Sequence, residues 1–472
     1  MSEIAEIVAN PERLASLSNE EIHAIPTARI EEEQLELIAA RFAQLRTEIG
    51  VLGRLADDLE IDSVNSPDDV IGLSFPHTFY KSYTVSDVEK RRFDRMTRWL
   101  NSLTALDLTT VDVSDCDSLE SWLGALRSQS RLRPLCSSGT SGKISFFPRS
   151  TTEEQIYLRD FLRVNAGYRD EPDSGLASGD VDMLAPWPVA TGSHNVPSLF
   201  RLLRENVYNG KPGEHLHTLG KGHWNLDLMW FAGRVRAAQA KGDSAAPALA
   251  AELRRLQDTV ATDQASTAEN IDRFIEEMLE GQRDRKVFLF APPRELHALA
   301  VECEKRGRRP DFAPDSYIFS PGRADSKGGT LPDGWMQLTK SIFPCDWQGV
   351  YAMTECTGAA RLCAEGHYHL PPWVHVALLD PETSRRFPRE GVQTGRLALF
   401  DLLVSTHWGG TITGDRVTID WEGGCRCGRE GPFIHNTIAR YGNLKDDDKI
   451  TCSKSPDAYE RAVDFVLGAI PD

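Results

Sequence analysis

Short apolar runs alternate with helical stretches through the middle of this chain, and this alternation limits the folds open to it. The runs Lys286 to Phe290, Tyr317 to Ser320 and Gly349 to Met353 have the length and composition of buried strands. Between the first two, Arg294 to Lys305 has the apolar spacing of a helix. Strands that alternate with helices predict βαβ units, and therefore an α/β fold.

The two ends of the chain have different patterns. Helical spacing dominates the first 130 residues, as in Glu31 to Leu52, and another helical excursion runs from Leu226 to Gly281. From Val374 onward, strand-like segments separated by turns predict a β-rich, barrel-like subdomain. We predict an N-terminal helical layer (1–130), an α/β core (131–373), a β-rich subdomain (374–438) and a short C-terminal segment (439–472).

Charge and composition exclude several classes of function. The chain has 472 residues, with 53 basic and 70 acidic side chains, for a net charge of -17. Such a charge repels a polyphosphate backbone, so we expect no nucleic-acid partner. The N-terminus lacks a basic region followed by an apolar run, and no stretch approaches about 18 consecutive apolar residues. These features predict a cytoplasmic protein with no membrane partner.

A loop rich in glycine and hydroxyl side chains precedes Lys143. Its glycines let backbone N–H groups turn toward an anion, its hydroxyls donate further hydrogen bonds, and the lysine adds a positive charge. An ordinary surface turn is the alternative. The predicted phosphate-binding residues are Ser137, Ser138, Gly139, Thr140, Ser141 and Gly142.

The order of residues in SSGTSGK resembles the phosphate-binding signature of adenylate-forming enzymes. Downstream, Val-Tyr-Ala-Met-Thr-Glu, ending at Glu355, is similar to that superfamily's Tyr-Gly-x-Thr-Glu motif, with Ala352 in place of glycine. The resemblance implies that Tyr351 stacks on adenine, Thr354 contacts the α-phosphate and Glu355 holds Mg²⁺. The alternative is a core tyrosine followed by a helix-capping pair.

Two further motifs follow in the same order as in the superfamily. Thr413-Gly-Asp415 resembles the Thr-Gly-Asp whose aspartate accepts both ribose hydroxyls. Arg440 matches the arginine of a hinge motif that contacts ribose and phosphate, although Ala439 replaces the usual glycine and the acidic pair lies farther along. Lys143, Thr354, Glu355 and Arg440 are the catalytic residues that this resemblance implies.

The resemblance implies a fold as well, in which residues 131–373 form the nucleotide-binding core and residues 439–472 a hinge-like remnant with a short tail. We expect the α/β N-terminal core of an adenylate-forming enzyme, with two mixed αβαβα-type subdomains and a small β-barrel-like subdomain. After Arg440 only Tyr441 to Asp472 remain, so the mobile C-terminal lid domain and its lysine are expected to be absent. Adenylation then proceeds with Lys143 and Arg440 alone, or with a partner protein that supplies the lid, or by a different route.

Cysteines cluster late in the chain. There are nine, an odd number that argues against a disulfide scaffold. Cys363, Cys425 and Cys427, with either His367 or His369, offer the thiolate and imidazole ligands that Zn²⁺ prefers. The layout is similar to the phenylacetate-CoA ligase branch, and alignment with that branch favours His369. Reduced structural cysteines are the alternative.

Other residues are predicted to line the substrate and adenine pockets. The segment Ser320 to Gly329 resembles part of the acyl-protein synthetases of bacterial bioluminescence, and we expect its Gly322 and Arg323 to border the adenine pocket. Trp187 and His194 are predicted substrate contacts, with an ordinary loop histidine as the alternative for His194.

Together, the motifs predict ATP-dependent activation of a small carboxylic acid. An acyl-adenylate and pyrophosphate form, and the acyl group passes to CoA or another thiol. The expected cofactors are ATP, Mg²⁺, structural Zn²⁺ and CoA. Two alternatives stay open: an amide-forming or acyl-protein ligase, whose acceptor is an amine or a carrier protein, and a non-catalytic nucleotide-binding subunit.

Overall fold

The computed structural model describes residues 2–137, 143–165, 175–187, 189–191, 195–208, 212–223, 225–260, 267–321, 331–441 and 461. None of the described helices is long and apolar enough to span a membrane.

Sixteen α-helices are distributed along these residues, eight of them before residue 130. They are α1 (Glu3–Ala9), α2 (Asn19–His23), α3 (Ile30–Glu48), α4 (Gly50–Asp58), α5 (Pro67–Leu73), α6 (Val85–Glu89), α7 (Phe93–Asn101), α8 (Leu119–Gln129), α9 (Thr151–Val164), α10 (Asn195–Asn206), α11 (Pro212–His215), α12 (Leu226–Lys241), α13 (Ala246–Val260), α14 (Thr267–Glu276), α15 (Pro293–Lys305) and α16 (Trp335–Ile342).

The described strands belong to two large sheets and two small ribbons. They are β1 (Phe75–Pro76), β2 (Leu132–Cys136), β3 (Phe146–Ser150), β4 (Asp182–Ala185), β5 (Val189–Thr191), β6 (Leu216–Thr218), β7 (Lys221–His223), β8 (Val287–Phe290), β9 (Tyr317–Pro321), β10 (Asp346–Tyr351), β11 (Ala360–Arg361), β12 (His367–Tyr368), β13 (Val374–Leu379), β14 (Val392–Asp401), β15 (Gly410–Asp420), β16 (Phe433–His435) and β17 (Ala439–Arg440).

A six-stranded sheet in the order β11-β10-β9-β8-β4-β6 contains the predicted βαβ units. Its strands β6, β4, β8, β9 and β10 are parallel, and only β11 is antiparallel. The four residues of β8 are all buried, as expected for a parallel strand covered on both faces. Helix α15 connects β8 to β9, which confirms the mixed α/β class predicted from the alternation.

A seven-stranded sheet is built mainly from the C-terminal segments, in the order β12-β16-β15-β14-β13. Strand β1 pairs in parallel with β15, and β17 pairs antiparallel with β15. One apolar cluster joins this sheet to the N-terminal helices, with members such as Phe42, Trp99, Phe400 and Trp408. The helical layer therefore packs on this sheet, while separate apolar clusters line the parallel sheet.

Two ribbons complete the described strands: β2 pairs with β3, and β5 with β7.

The end of β3 leads directly into α9 through a capping box. In it, the Ser150 side chain accepts from the Glu153 N–H, and the Glu153 carboxylate accepts from the Ser150 N–H. Glu153 is fully buried and also accepts from the N–H groups of Ser405 and Thr406 at 2.7 and 2.9 Å. This carboxylate therefore ties the start of α9 to the segment after β14.

Candidate nucleotide site

Three of the predicted site residues meet where the two large sheets approach each other. Tyr351 is the last residue of β10, and Asp415 in β15 lies opposite Arg440 in β17. The Tyr351 hydroxyl donates to Asp415 Oδ2 at 2.8 Å, and Arg440 Nε donates to Asp415 Oδ1 at 2.9 Å. Asp415 is only 5% exposed. Each oxygen of this buried carboxylate therefore accepts from one donor, a phenol or a guanidinium.

The position of this group on the sheet suits a ligand site. Tyr351 ends a parallel strand, and ligands of open α/β sheets bind outside the carboxyl ends of such strands. Trp187 follows the end of β4, so it lies at the same edge of the sheet. Its ring packs edge-on against Phe290 at 5.0 Å, as part of the apolar cluster at this edge.

Glu355 lies four residues beyond the end of β10 and is partly buried. Burial raises the pKa of its carboxyl group, the charges of Arg440 and Arg149 lower that pKa, and the charge of Asp415 raises it further. The environment thus disfavours the charged form of Glu355, and a nearby cation would stabilise that form. One carboxylate with room for substrate phosphates is the usual protein contribution to a Mg²⁺ site, so Glu355 fits the ion that the motif implies.

The turn that bears Thr354 and Glu355 is held by buried charged side chains on both sides. Arg149, 2% exposed on β3, donates through Nη2 to the carbonyl oxygens of Thr354 and Cys356 at 2.8 and 2.7 Å. Asp401, at the end of β14, accepts from the backbone N–H of Thr357 at 2.5 Å and from the Thr357 hydroxyl at 2.5 Å. The β2–β3 ribbon and the seven-stranded sheet therefore both fix the position of this turn.

A third buried charged side chain acts on the same segment. Asp160, on α9, accepts from the backbone N–H of Ala359 at 2.9 Å and from Arg163 at 2.5 Å. Arg149, Asp160 and Asp401 were not predicted from sequence. Arg149 and Asp401 each follow a short apolar run in their strands, whereas Asp160 lies among other charged residues of α9, so the sequence offered no signal for it.

Ser137 begins the predicted phosphate loop, and Lys143 follows it. The Lys143 ammonium donates to the carbonyl oxygens of Lys81 and Tyr83 at 3.0 and 2.6 Å and lies 4.8 Å from the centre of the Tyr83 ring. Burial, together with the positive charges of Arg234 and Lys81, lowers the pKa of this lysine to about 8. The Ser137 hydroxyl accepts from the Ser145 N–H at 2.9 Å, which closes the β2–β3 ribbon at the mouth of the loop.

Several predicted site residues lie outside the described residues. They are Ser138, Gly139, Thr140, Ser141, Gly142, His194, Gly322 and Arg323. Their predicted roles stay predictions.

The predicted metal ligands form a compact group at one end of the seven-stranded sheet. One ligand atom from each of Cys363, His369, Cys425 and Cys427 lies within 4.8 Å of all the others. His369 Nε2 is 3.3 Å from Cys427 Sγ, and Cys363 Sγ is 3.9 Å from Cys425 Sγ. Three thiols and one imidazole match the donor set of a closed, structural Zn²⁺ site, so the residues present fit that ion.

His367, the other candidate ligand, lies beside this group. Its Nδ1 is 3.3 Å from Cys425 Sγ, and its ring stacks on Phe433 at 4.3 Å. Burial raises the pKa of the Cys425 thiol to about 12. Burial thus favours the protonated thiol. A bound metal cation would favour the thiolate instead, since a metal deprotonates a coordinating thiol.

No family model and no curated protein matches the chain. Among solved structures, the chain is similar to 2-hydroxyisobutyryl-CoA ligase in an open conformation with 2-HIB-AMP and CoA, at 12% identity over 90% of this chain and 75% of the other, with a TM-score of 0.43. It is similar to FadD1, a long-chain-fatty-acid-CoA ligase from Archaeoglobus fulgidus, at 11% identity over 65% of this chain and 50% of the other, with a TM-score of 0.35. It is also similar to ATP-bound MatB from Rhodopseudomonas palustris, at 15% identity over 66% of this chain and 48% of the other, with a TM-score of 0.34.

Two of these three structures are CoA ligases by name.

Proposed function

We propose that this protein activates a carboxylic acid with ATP, forming an acyl-adenylate and pyrophosphate. The observation that carries the proposal is the meeting of Tyr351, Asp415 and Arg440, with Glu355 beside them, at the carboxyl edge of a parallel sheet. An aromatic ring, a carboxylate, a guanidinium and a second carboxylate are the groups needed for base, ribose, phosphate and a divalent cation.

In the proposed reaction, a carboxylate oxygen of the acid attacks the α-phosphorus of ATP, and pyrophosphate leaves. The protein's contribution is positioning and charge stabilisation. Tyr351 stacks on adenine, Asp415 accepts from the ribose hydroxyls, and Arg440 stabilises charge on the phosphate. Each Asp415 oxygen has a second lone-pair site, so it can accept from ribose while keeping its present partner. When bound at Glu355, Mg²⁺ would neutralise phosphate charge.

The phosphate loop completes the proposed site. Thr354 contacts the α-phosphate, and Lys143 supplies positive charge to the phosphates once its ammonium turns from the carbonyl oxygens of Lys81 and Tyr83. Ser137 to Gly142 supply hydroxyl and N–H donors. Gly322 and Arg323 are proposed to border adenine, and Trp187 and His194 to contact the acid.

The proposal also covers the acyl acceptor, the type of ligase and the division of the chain into domains. We assign the acceptor as CoA or another thiol and the enzyme as similar to phenylacetate-CoA ligase, acting in the cytoplasm. Residues 1–130, 131–373, 374–438 and 439–472 are proposed to form the helical layer, the α/β core, the β-rich subdomain and the hinge-like tail. A partner protein that supplies a lid lysine is one route to full activity.

Product analysis tests the proposal and identifies the acceptor. Purified protein is incubated with ATP, Mg²⁺ and a panel of aromatic and aliphatic acids, and the products are resolved by mass spectrometry. We expect AMP to form only with some acids, with a thioester when CoA is present and a hydroxamate when hydroxylamine is present. A hydroxamate without a thioester would favour an amine or carrier protein as acceptor. ATP binding without AMP formation for any acid would favour the non-catalytic alternative.

A further inference from the structure

His367 lies beside the predicted zinc ligands but does not belong to their compact group. The ligand atoms that lie within 4.8 Å of one another come from Cys363, His369, Cys425 and Cys427. Four such donors complete the tetrahedron of a structural Zn²⁺ site, so the site needs no fifth ligand. A role other than coordination is therefore open to the His367 side chain.

The backbone and the side chain of His367 each contact a different sulfur atom. The His367 N–H donates to Cys363 Sγ at 3.4 Å, and Nδ1 of its ring is 3.3 Å from Cys425 Sγ. A hydrogen on Nδ1 makes that ring nitrogen a donor as well. One residue can thus donate to two of the three thiols, whose sulfur atoms are 3.9 Å apart.

The fold fixes the direction in which the His367 ring points. The Cys363 N–H donates to the His367 carbonyl oxygen at 2.8 Å, and Gly366 takes a left-handed conformation (φ 78°) in the turn between them. In the next strand, β16, Phe433 stacks on the His367 ring with centres 4.3 Å apart, and the His435 ring meets it edge-on at 4.9 Å. These contacts hold the ring with Nδ1 toward Cys425.

The charge of the predicted site explains why such donors matter. Three thiolates carry more negative charge than one Zn²⁺ ion neutralises. Cys425 is only 7% exposed, so water stabilises little of the excess at that sulfur. An N–H donor forms a stronger hydrogen bond to a charged acceptor than to a neutral one, and groups next to metal ligands commonly supply such bonds. Two donors from His367 would therefore stabilise the thiolate forms of Cys363 and Cys425.

We propose that His367 is a positioning residue of the predicted zinc site. It donates from its backbone N–H to Cys363 and from Nδ1 to Cys425, while His369 is the imidazole that binds the metal. The two hydrogen bonds raise the affinity of the thiolates for the ion and lower the energy of their electrons. This inference rests on the zinc assignment and not on acid activation, because none of these residues belongs to the proposed nucleotide site.

Zinc titration of variants at His367, followed by competition with a chelating indicator, tests the proposal. His367→Phe keeps an aromatic ring on Phe433 but has no side-chain donor, so we expect zinc affinity to fall by about 10-fold or more. His367→Asn places an amide N–H near the position of Nδ1 and should recover most of that loss. His367→Gln, whose amide lies one bond farther out, should not recover it.

The matched control is His435→Phe. This histidine packs against the His367 ring, but it contacts none of the cysteine sulfurs within the described part of the chain, so zinc should bind as tightly as in the wild type. Thermal unfolding checks that each variant folds cooperatively. The Asn and Gln variants carry the same comparison if His367→Phe does not fold.

Cobalt substitution separates a donor from a ligand. Without the Nδ1 donor the thiolate electrons are less stabilised, so the thiolate-to-Co²⁺ charge-transfer band of His367→Phe should move to longer wavelength while its intensity stays unchanged. His369→Ala removes a ligand and should instead change the ligand-field bands. A role of His367 in packing alone would not move the charge-transfer band.

Several outcomes would overturn the proposal. One is equal zinc affinity, or an unshifted charge-transfer band, in His367→Phe and the wild type. Another is His367→Asn that binds zinc as weakly as His367→Phe. Ligand-field bands that change in His367→Phe but not in His369→Ala would make His367 the ligand. A wild type that binds neither zinc nor cobalt would overturn the zinc assignment as well, and none of these outcomes bears on acid activation.

Discussion

At the scale of single residues, the candidate site depends on how Asp415 is paired. Its two oxygens accept from different elements, Tyr351 at the end of β10 and Arg440 in β17. Burial and the charge of Asp415 raise the pKa of the Tyr351 hydroxyl, so it stays protonated and remains a donor. The sequence predicted these three residues individually, through motifs, but it did not indicate that they bind one another.

Two substitutions at Tyr351 separate the ring from the hydroxyl. Tyr351→Phe keeps the ring and removes one hydrogen bond, so we expect a stability loss of about 1 kcal/mol and little change in ATP affinity. Tyr351→Ala removes a stacking surface worth about 1–3 kcal/mol, so ATP affinity should fall by about 10-fold or more. Urea unfolding and nucleotide titration measure the two effects. Equal losses of ATP affinity in both variants would contradict a stacking role for the ring.

Lys143 gives the site a pH dependence. Because burial lowers its pKa to about 8, the ammonium loses its charge as the pH rises through that value. ATP affinity should therefore fall from about pH 8 upward, until the higher pKa of the nucleotide-bound lysine is reached. Lys143→Arg keeps its charge over this range, so its ATP affinity should stay flat between pH 7.5 and 9.5. Parallel profiles for the two proteins would mean that Lys143 does not contact the phosphates.

At the scale of elements, the turn after β10 shows why sequence patterns could predict the candidate site residues but not the side chains that hold them in place. The Tyr-x-x-Thr-Glu spacing marks the turn, whereas Arg149 and Asp401 are 205 and 44 residues away from their backbone partners in sequence. Contacts at such separations leave no periodic signal. The apolar spacing also predicted one helix over Glu31 to Leu52. The structure has two helices there, because the backbone of Ile49 is extended (φ -104°, ψ 100°) and ends the first of them.

Asp401 provides a test of this support. Asp401→Asn keeps the shape of the side chain but removes the charge that accepts from Thr357, so we expect a stability loss of about 1–3 kcal/mol in urea unfolding. The Mg²⁺ concentration needed for activity should also rise, since Glu355 lies on the same turn. Asp94→Asn, which loses only an exposed pair with Arg98, should cost less than about 0.5 kcal/mol. If Asp401→Asn needs the same Mg²⁺ concentration as the wild type, the contact between Asp401 and Thr357 does not position Glu355 for Mg²⁺.

At the scale of the whole molecule, the alternation of strands and helices was enough to predict the parallel sheet, since β8, α15 and β9 lie within a residue or two of the predicted segments. The seven-stranded sheet was harder to predict. Its strand β1 comes from residues 75–76 and pairs with residues 411–412, and no local pattern connects them. Packing of the N-terminal helices on this sheet is likewise a property of the tertiary structure.

Zinc is expected to stabilise the end of this sheet. Purified protein should contain about one Zn²⁺ per chain by elemental analysis, because a tetrahedral site of three thiolates and one imidazole is complete. Cys425→Ser should lose the metal and unfold at a lower temperature, whereas Cys345→Ser, at a half-buried cysteine outside the cluster, should retain it. Full zinc content in Cys425→Ser would contradict the assignment. The zinc contents of His367→Ala and His369→Ala identify which of the two imidazoles binds the metal.

ATP–pyrophosphate exchange measures the proposed activation of a carboxylic acid without requiring an acceptor. We predict that labelled pyrophosphate enters ATP only when a suitable acid and Mg²⁺ are both present. Glu355→Gln, which keeps the side-chain shape but weakens the Mg²⁺ ligand, should reduce this exchange by at least about 100-fold. Exchange that is independent of acid, or equal in the wild type and Glu355→Gln, would contradict acid activation at this site.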